Sequence, residues 1–149
     1  IFEGLTINTP SMLVVEDWLT IIDWANSNGG LEYLKLKTKG NFQIINKFCS
    51  QNDWIDFLAP NKLYRSNTSV CLKFIDPWFN SLNDKTQNQY LDKFLFFLED
   101  HNAAFDIKSY RTAPIGLRIW CGPTVEKEDL ECLLPWLDWA FQFVRANKF

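Results

Sequence analysis

The chain has a single histidine, His101, among its 149 residues. Zinc sites and serine-type triads rely on imidazole as ligand or base, so metal-dependent hydrolysis and triad chemistry lose their usual parts, and no metal site is expected. At the polar end of a helical pattern, His101 reads as a cap or an exposed side chain. The four cysteines, Cys49, Cys71, Cys121 and Cys132, form no CxxC pair and no disulfide-like framework. They read as reduced cytoplasmic thiols serving as small core residues. Positive charge is not in excess either. Lys and Arg number 15 against 18 Asp and Glu, a net charge of −3, and the pI is near 5.1. A nucleic-acid partner is therefore not expected, because such a surface needs clustered cations to displace counterions. No apolar run is long enough to span a bilayer and no basic-then-apolar leader is visible, so no membrane partner is expected.

What is present is apolar material. Hydrophobic residues make up 47% of the chain, enough for one core and too little for two comfortable domains. The chain opens at Ile1 with residues that read as the middle of a longer pattern, and a fragment is the expectation.

Ile1 to Ile7 alternates loosely and ends in the turn cluster Asn8-Thr9-Pro10-Ser11. Thr9 as N-cap with Pro10 at the first helical position is the expected start of a helix. Val14, Trp18, Ile21, Ile22 and Ala25 carry that helix, and Gly29-Gly30 ends it. An Asn-Thr pair ahead of a helix also offers donors to a phosphate. A second helical pattern runs from Leu31 to Cys49, interrupted by Lys35, Lys37, Lys39 and Gly40, with the lysines read as a solvated face. Trp54 to Leu58 and Thr68 to Asp76 read as strands, the latter with Val70, Leu72 and Phe74 on one face. The Ala59 to Asn67 segment reads as a loop, and Asp76-Pro77 as a turn starter. Asp84 to His101 is helical, Ala103 to Tyr110 a short strand, and Leu130 to Val144 a final apolar stripe with a kink or a helix break at Pro135. The pattern is α+β: a two-layer small domain in which helices cover one face of a small, mainly antiparallel sheet.

The stretch Ser109 to Glu126 carries the chemistry. Arg111 sits on a loop punctuated by Pro114 and Gly116, and Arg118 on a short apolar strand. A guanidinium in an apolar strand is costly unless an anion meets it. The two forks could grip an anionic ligand at two points; alternatively, Arg118 pairs with an internal carboxylate and Arg111 is a solvated loop charge.

Three motifs, Thr6-Ile7-Asn8-Thr9-Pro10-Ser11-Met12, Arg65-Ser66-Asn67-Thr68-Ser69-Val70 and Gly116-Leu117-Arg118-Ile119-Trp120-Cys121-Gly122, occur in that order with Thr124-Val125-Glu126 and the tail Leu134-Pro135-Trp136-Leu137-Asp138-Trp139-Ala140. Together they resemble the C-terminal portion of the phosphoserine aminotransferase family. The resemblance implies a fold-type-I, pyridoxal-phosphate-dependent homodimer that exchanges an amino group between glutamate/2-oxoglutarate and 3-phosphohydroxypyruvate/phosphoserine. It implies that Asn8 and Thr9 reach the cofactor phosphate of the neighbouring subunit, that Arg118 binds the substrate carboxylate, and that Arg111 binds the substrate phosphate. Many relatives have His-Arg where this chain has Tyr110-Arg111, with a spacing to the second arginine one residue shorter. The same resemblance divides the chain into residues 1–30, a leading segment and linking helix from a large cofactor domain, and residues 31–149, the C-terminal small domain.

None of the lysines matches the family's Schiff-base lysine, which lies upstream of the Asn-Thr-Pro motif along with the acidic partner of the pyridine nitrogen. No catalytic residue is therefore assigned within this chain, which is expected to be inactive alone. Exposed apolar side chains are expected on the Val14 to Ala25 helix, near Trp18 or Trp24. The alternatives are another class V aminotransferase, which would lack a second cation for a substrate phosphate, or a non-enzymatic α+β binding or oligomerisation module.

Overall fold

The computed structural model describes Thr9 and residues 11–147. The alternating run Ile1 to Ile7, together with Asn8 and Pro10, lies outside the described residues. The chain separates into two compact units, Ile1–Leu36 and Lys37–Phe149.

In the first unit, helix α1 (Met12–Ser27) is capped by Ser11 in an extended conformation, and the Ser11 carbonyl accepts from Val15 N–H at 3.1 Å. The N-cap is thus Ser11 rather than Thr9, because two hydroxyl residues of similar capping power stand close together and spacing alone does not choose between them. Gly29 and Gly30 adopt φ of 103° and 65°, the left-handed conformation that ends helices at glycine. None of the α1 residues is buried. Met12, Leu13, Trp18, Leu19 and Ile21 are exposed, so the apolar surface expected around Trp18 is present. A helix with apolar residues on every side needs a covering surface.

Helix α2 (Gly30–Gln51) runs without a break through Gly40, where an added side chain would meet open space. In the second unit α2 buries Thr38, Asn41, Ile45, Phe48 and Cys49. Lys37 departs from the solvated reading of the lysines: its side chain is only 14% exposed and it pairs with Glu126. The long aliphatic stem lies inside while the ammonium reaches a carboxylate.

The sheet has the order β1-β2-β3, with β1 (Ile55–Phe57), β2 (Ser69–Phe74) and β3 (Gly116–Trp120). Both pairings are antiparallel, with Ile55 opposite Phe74 and Cys71 opposite Arg118. Strand residues alternate between faces. Ile55, Phe57, Val70, Leu72, Phe74, Leu117 and Ile119 are buried against the helical side, while Cys71 and Trp120 on the other face are exposed. This is the expected α+β arrangement with helices on one face. Three pieces depart from the expected pattern. A 3₁₀ turn, Lys62–Tyr64, sits inside the loop after β1. Asp76 caps a one-turn helix, α3 (Pro77–Asn80), accepting from Phe79 N–H at 3.0 Å, and its other oxygen lies 3.3 Å from Arg145 Nη1. The expected strand from Ala103 to Tyr110 is reduced to one bridge, Lys108 opposite Leu117. Asn102 and Asp106 take φ of 54° and 53°, which no extended strand tolerates.

Helices α4 (Asp84–Asp100) and α5 (Lys127–Ala146) complete the layer. The α5 helix is continuous through Pro135, so a pair of abutting helices does not form. His101 is the C-cap of α4, as expected, and its Nδ1 lies 2.8 Å from the Phe97 carbonyl. At the centre, Trp54 stacks on Phe141 with ring centroids 4.3 Å apart. Its indole N–H donates to Asp138 Oδ1 at 3.0 Å, satisfying the one polar atom of a side chain that is otherwise buried.

The turn leaving β3 is held from α2. The buried Asn41 carboxamide lies 3.3, 3.2 and 2.9 Å from the carbonyls of Cys121, Gly122 and Val125. Asn41→Ala is expected to cost about 1 to 3 kcal/mol, because buried carbonyls lose their donor. A lower urea midpoint at unchanged slope is the readout.

Burial pushes the thiols of Cys121 and Cys49 up to about 12, with the Asp56 charge adding to the effect at Cys49. The unfolded chain ionises near 9.0, so these groups give their full stabilisation below that pH and lose it as pH rises toward 12. The urea midpoint is expected to fall above pH 9, and to fall less in a Cys49→Ala, Cys121→Ala variant. At neutral pH a thiol reagent should label the exposed Cys71 and Cys132 and spare the buried pair.

Candidate functional site

Strand β3 is flanked by the segment that precedes it in sequence. Arg118 N–H donates to the Ile107 carbonyl at 2.7 Å and Ser109 N–H to the Gly116 carbonyl at 3.1 Å. Residues 107–118 therefore form an excursion whose tip is a turn, closed by Ala113 N–H donating to the Tyr110 carbonyl at 3.0 Å. Gly116 is required where the excursion rejoins the sheet, because a Cβ there would sit 2.1 Å from the Leu72 carbonyl oxygen.

Arg118 shares the open face of the sheet with its neighbour Cys71. Its side chain is 22% exposed, and Nη2 lies 3.6 Å from Asp106 Oδ2. That separation exceeds a hydrogen bond, and the Asp106 side chain is 92% exposed, so water competes for it. The guanidinium carbon stands 4.7 Å from the centroid of the Tyr110 ring. Arg118 Nε is buried and has no hydrogen-bond partner among the described residues. No carboxylate in the described residues engages both arms of this fork.

Arg65 shows what a structural arginine looks like in the same unit. Its Nε donates to the Ala59 carbonyl at 2.9 Å and its Nη2 to the Pro60 carbonyl at 3.3 Å. Its guanidinium lies 4.1 Å from the Phe57 ring centroid. Those donors are spent on closing a loop; the corresponding donor of Arg118 is not.

Arg111 is exposed at the tip of the excursion and lines a cleft of about 680 Å³ together with Lys73, Lys108, Tyr110 and Asp84. Lys108 also pairs with Asp92. Arg118 does not line that cleft. The structure thus brings Arg111 together with two lysines and leaves Arg118 outside, with Tyr110 common to both surroundings. Sequence reasoning missed Tyr110 and Asp106 as neighbours of Arg118. The signal was the excursion itself, which folds the chain back so that residues before the Pro114 punctuation meet residues after it.

Of the two residues matched to a cofactor phosphate, Asn8 lies outside the described residues and Thr9 is exposed. The adjoining end of α1 has no acidic residue in its first turn, and the Ser11 side chain makes no capping hydrogen bond. Among the described residues this leaves backbone donors and the positive end of the helix dipole, an arrangement that suits a phosphate. Among the described residues no group of three or more His, Cys, Asp or Glu could hold a metal ion, and no helix is long and apolar enough to cross a membrane.

No protein-family model matches the chain. It is 50% identical, over 145 residues and 97% of its length, to the phosphoserine aminotransferase of Methanosarcina mazei. The identity and coverage are the same for the phosphoserine aminotransferase of Methanosarcina barkeri. The chain spans 36% of the length of each of these relatives. Along nearly all of its length the chain is thus similar to one portion of these two phosphoserine aminotransferases.

Proposed function

We propose that this chain is the C-terminal part of a phosphoserine transaminase, which transfers an amino group between glutamate and 3-phosphohydroxypyruvate in serine biosynthesis. Residues 1–30 serve as the leading segment and linking helix from a large cofactor domain, and residues 31–149 as the small domain. The whole enzyme works as a cytoplasmic homodimer. The exposed apolar side chains of α1 agree with a helix that packs against the rest of such an assembly.

The observation that carries this reading is the buried, unpartnered Nε of Arg118 beside a fork that no internal carboxylate occupies fully. Arginine presents paired donors in a plane, the geometry that matches a carboxylate. Arg118 binds and orients the substrate carboxylate. Arg111 meets the phosphate that distinguishes this substrate from those of other class V aminotransferases, and the cations beside it in the cleft favour a doubly charged group. Asn8 and Thr9 hold the cofactor phosphate at the start of α1 in the neighbouring subunit's site. When bound, pyridoxal phosphate supplies the electron sink for amino-group transfer.

Arg118→Lys in the aminotransferase containing this stretch is expected to keep the charge and lose the paired hydrogen bonds. The loss of about 1.5 to 3 kcal/mol lowers kcat/KM for phosphoserine by roughly tenfold to more than a hundredfold, with little change in Tm. A structural ion-pair member behaves in the opposite way: Arg118→Ala would then cost about 3 to 5 kcal/mol of stability while the folded enzyme kept its kcat/KM. Measuring Tm and kcat/KM on both variants separates the cases.

The 149-residue chain alone, mixed with pyridoxal phosphate and glutamate, is expected to release no 2-oxoglutarate, because no lysine in it matches the family's cofactor-binding position. Turnover by the isolated chain would overturn that assignment.

A further inference from the structure

We infer that Tyr110 is a positioning residue for Arg118: its ring holds the guanidinium in place on the open face of the sheet before any carboxylate arrives. The inference rests on the reading of Arg118 as a carboxylate binder and goes beyond it by saying what orients the fork.

Three observations lead there. The guanidinium carbon is 4.7 Å from the Tyr110 ring centroid, within the range where an aromatic face attracts a cation. The side chain of Arg118 is only 22% exposed and its Nε is buried without an acceptor. A cation so far removed from water needs a compensating neighbour. Among the described residues the carboxylate near it, on Asp106, lies 3.6 Å away on a side chain that is 92% exposed, too far to fix an orientation and weak enough for an incoming carboxylate to displace. The ring is a contact that favours one rotamer of a long, flexible side chain. Holding that rotamer in advance spares the substrate the entropy of ordering it.

Tyr110 is suited to the task by its position. It is 67% exposed and opens the turn that its own carbonyl closes with Ala113 N–H. Its backbone is therefore anchored while its ring contributes little to the core. Because the ring face does the holding, the hydroxyl is dispensable.

The test uses the complete aminotransferase containing this stretch, with phosphoserine and glutamate as substrates. Tyr110→Ala is expected to raise KM for both, by about 2- to 30-fold as the strength of such ring contacts implies, with kcat and Tm little changed. Tyr110→Phe, which keeps the ring face, is expected to restore KM relative to Tyr110→Ala. Tyr110→Ala placed on an Arg118→Ala background is expected to add no further effect. If Arg118→Ala raises KM while Tyr110→Ala does not, or if Tyr110→Phe is as impaired as Tyr110→Ala, the positioning role fails and the carboxylate role of Arg118 stands. If Arg118→Ala leaves both KM values unchanged, the carboxylate role itself is wrong and the positioning role goes with it. A lowered Tm with unaltered KM in Tyr110→Ala would make the ring a structural element only.

Discussion

The register between β2 and β3 is the constraint on which the rest depends. With Cys71 opposite Arg118, Leu117 and Ile119 enter the core and the arginine stays on the open face. A slip by one residue would reverse every side chain, driving the guanidinium into the aromatic core and two aliphatic residues into water. Three features hold the register. Gly116 admits the Leu72 carbonyl where any side chain would collide. Asn41 clamps the carbonyls beyond the other end of the strand. Leu72 and Val70 find apolar partners opposite them in Leu117 and Ile119.

This arrangement assigns the two arginines to different mechanical settings. Arg118 stands on a strand that pairs along its length with β2, with its neighbours Leu117 and Ile119 buried in the core. Arg111 stands at the tip of an excursion held by a single bridge and a few backbone hydrogen bonds. On the reading proposed above, the group that binds what every substrate shares stands on the rigid element. One that recognises a feature of a single substrate can sit on a loop, where residues are exchanged at little cost to the core. The contrast with Arg65 makes the same point in terms of hydrogen bonds: an arginine that maintains the fold spends its donors on nearby carbonyls, whereas Arg118 keeps one unspent.

The two units carry apolar residues in different ways. In Lys37–Phe149 they converge on one core. In Ile1–Leu36, helix α1 displays Trp18, Ile21 and Leu19 without burying any residue. Leaving such a surface in water forgoes roughly 25 cal/mol for each Å² that could be covered. On the reading proposed above, the large cofactor domain is the surface that covers it.

Elements whose residues interact locally were legible in the sequence. Helical spacing located α1, α4 and α5, strict alternation found β2 and its buried face, and an arginine in an apolar strand marked Arg118, because period and polarity are properties of neighbouring residues. What required distant groups to meet was not legible. Lys37 reads as a solvated charge, yet the fold brings Glu126 to it; Asp76 starts a turn as its sequence suggests, and only the fold adds Arg145 from the last helix. The strand expected from Ala103 was lost to the left-handed turns at Asn102 and Asp106, conformations that spacing does not encode. The ordered motifs by themselves determined the family resemblance and the two arginines. Only the tertiary structure decided that Arg118 does not line the cleft of Arg111 and that the Tyr110 ring lies against Arg118, because such contacts follow from the path of the backbone and not from separation along the chain.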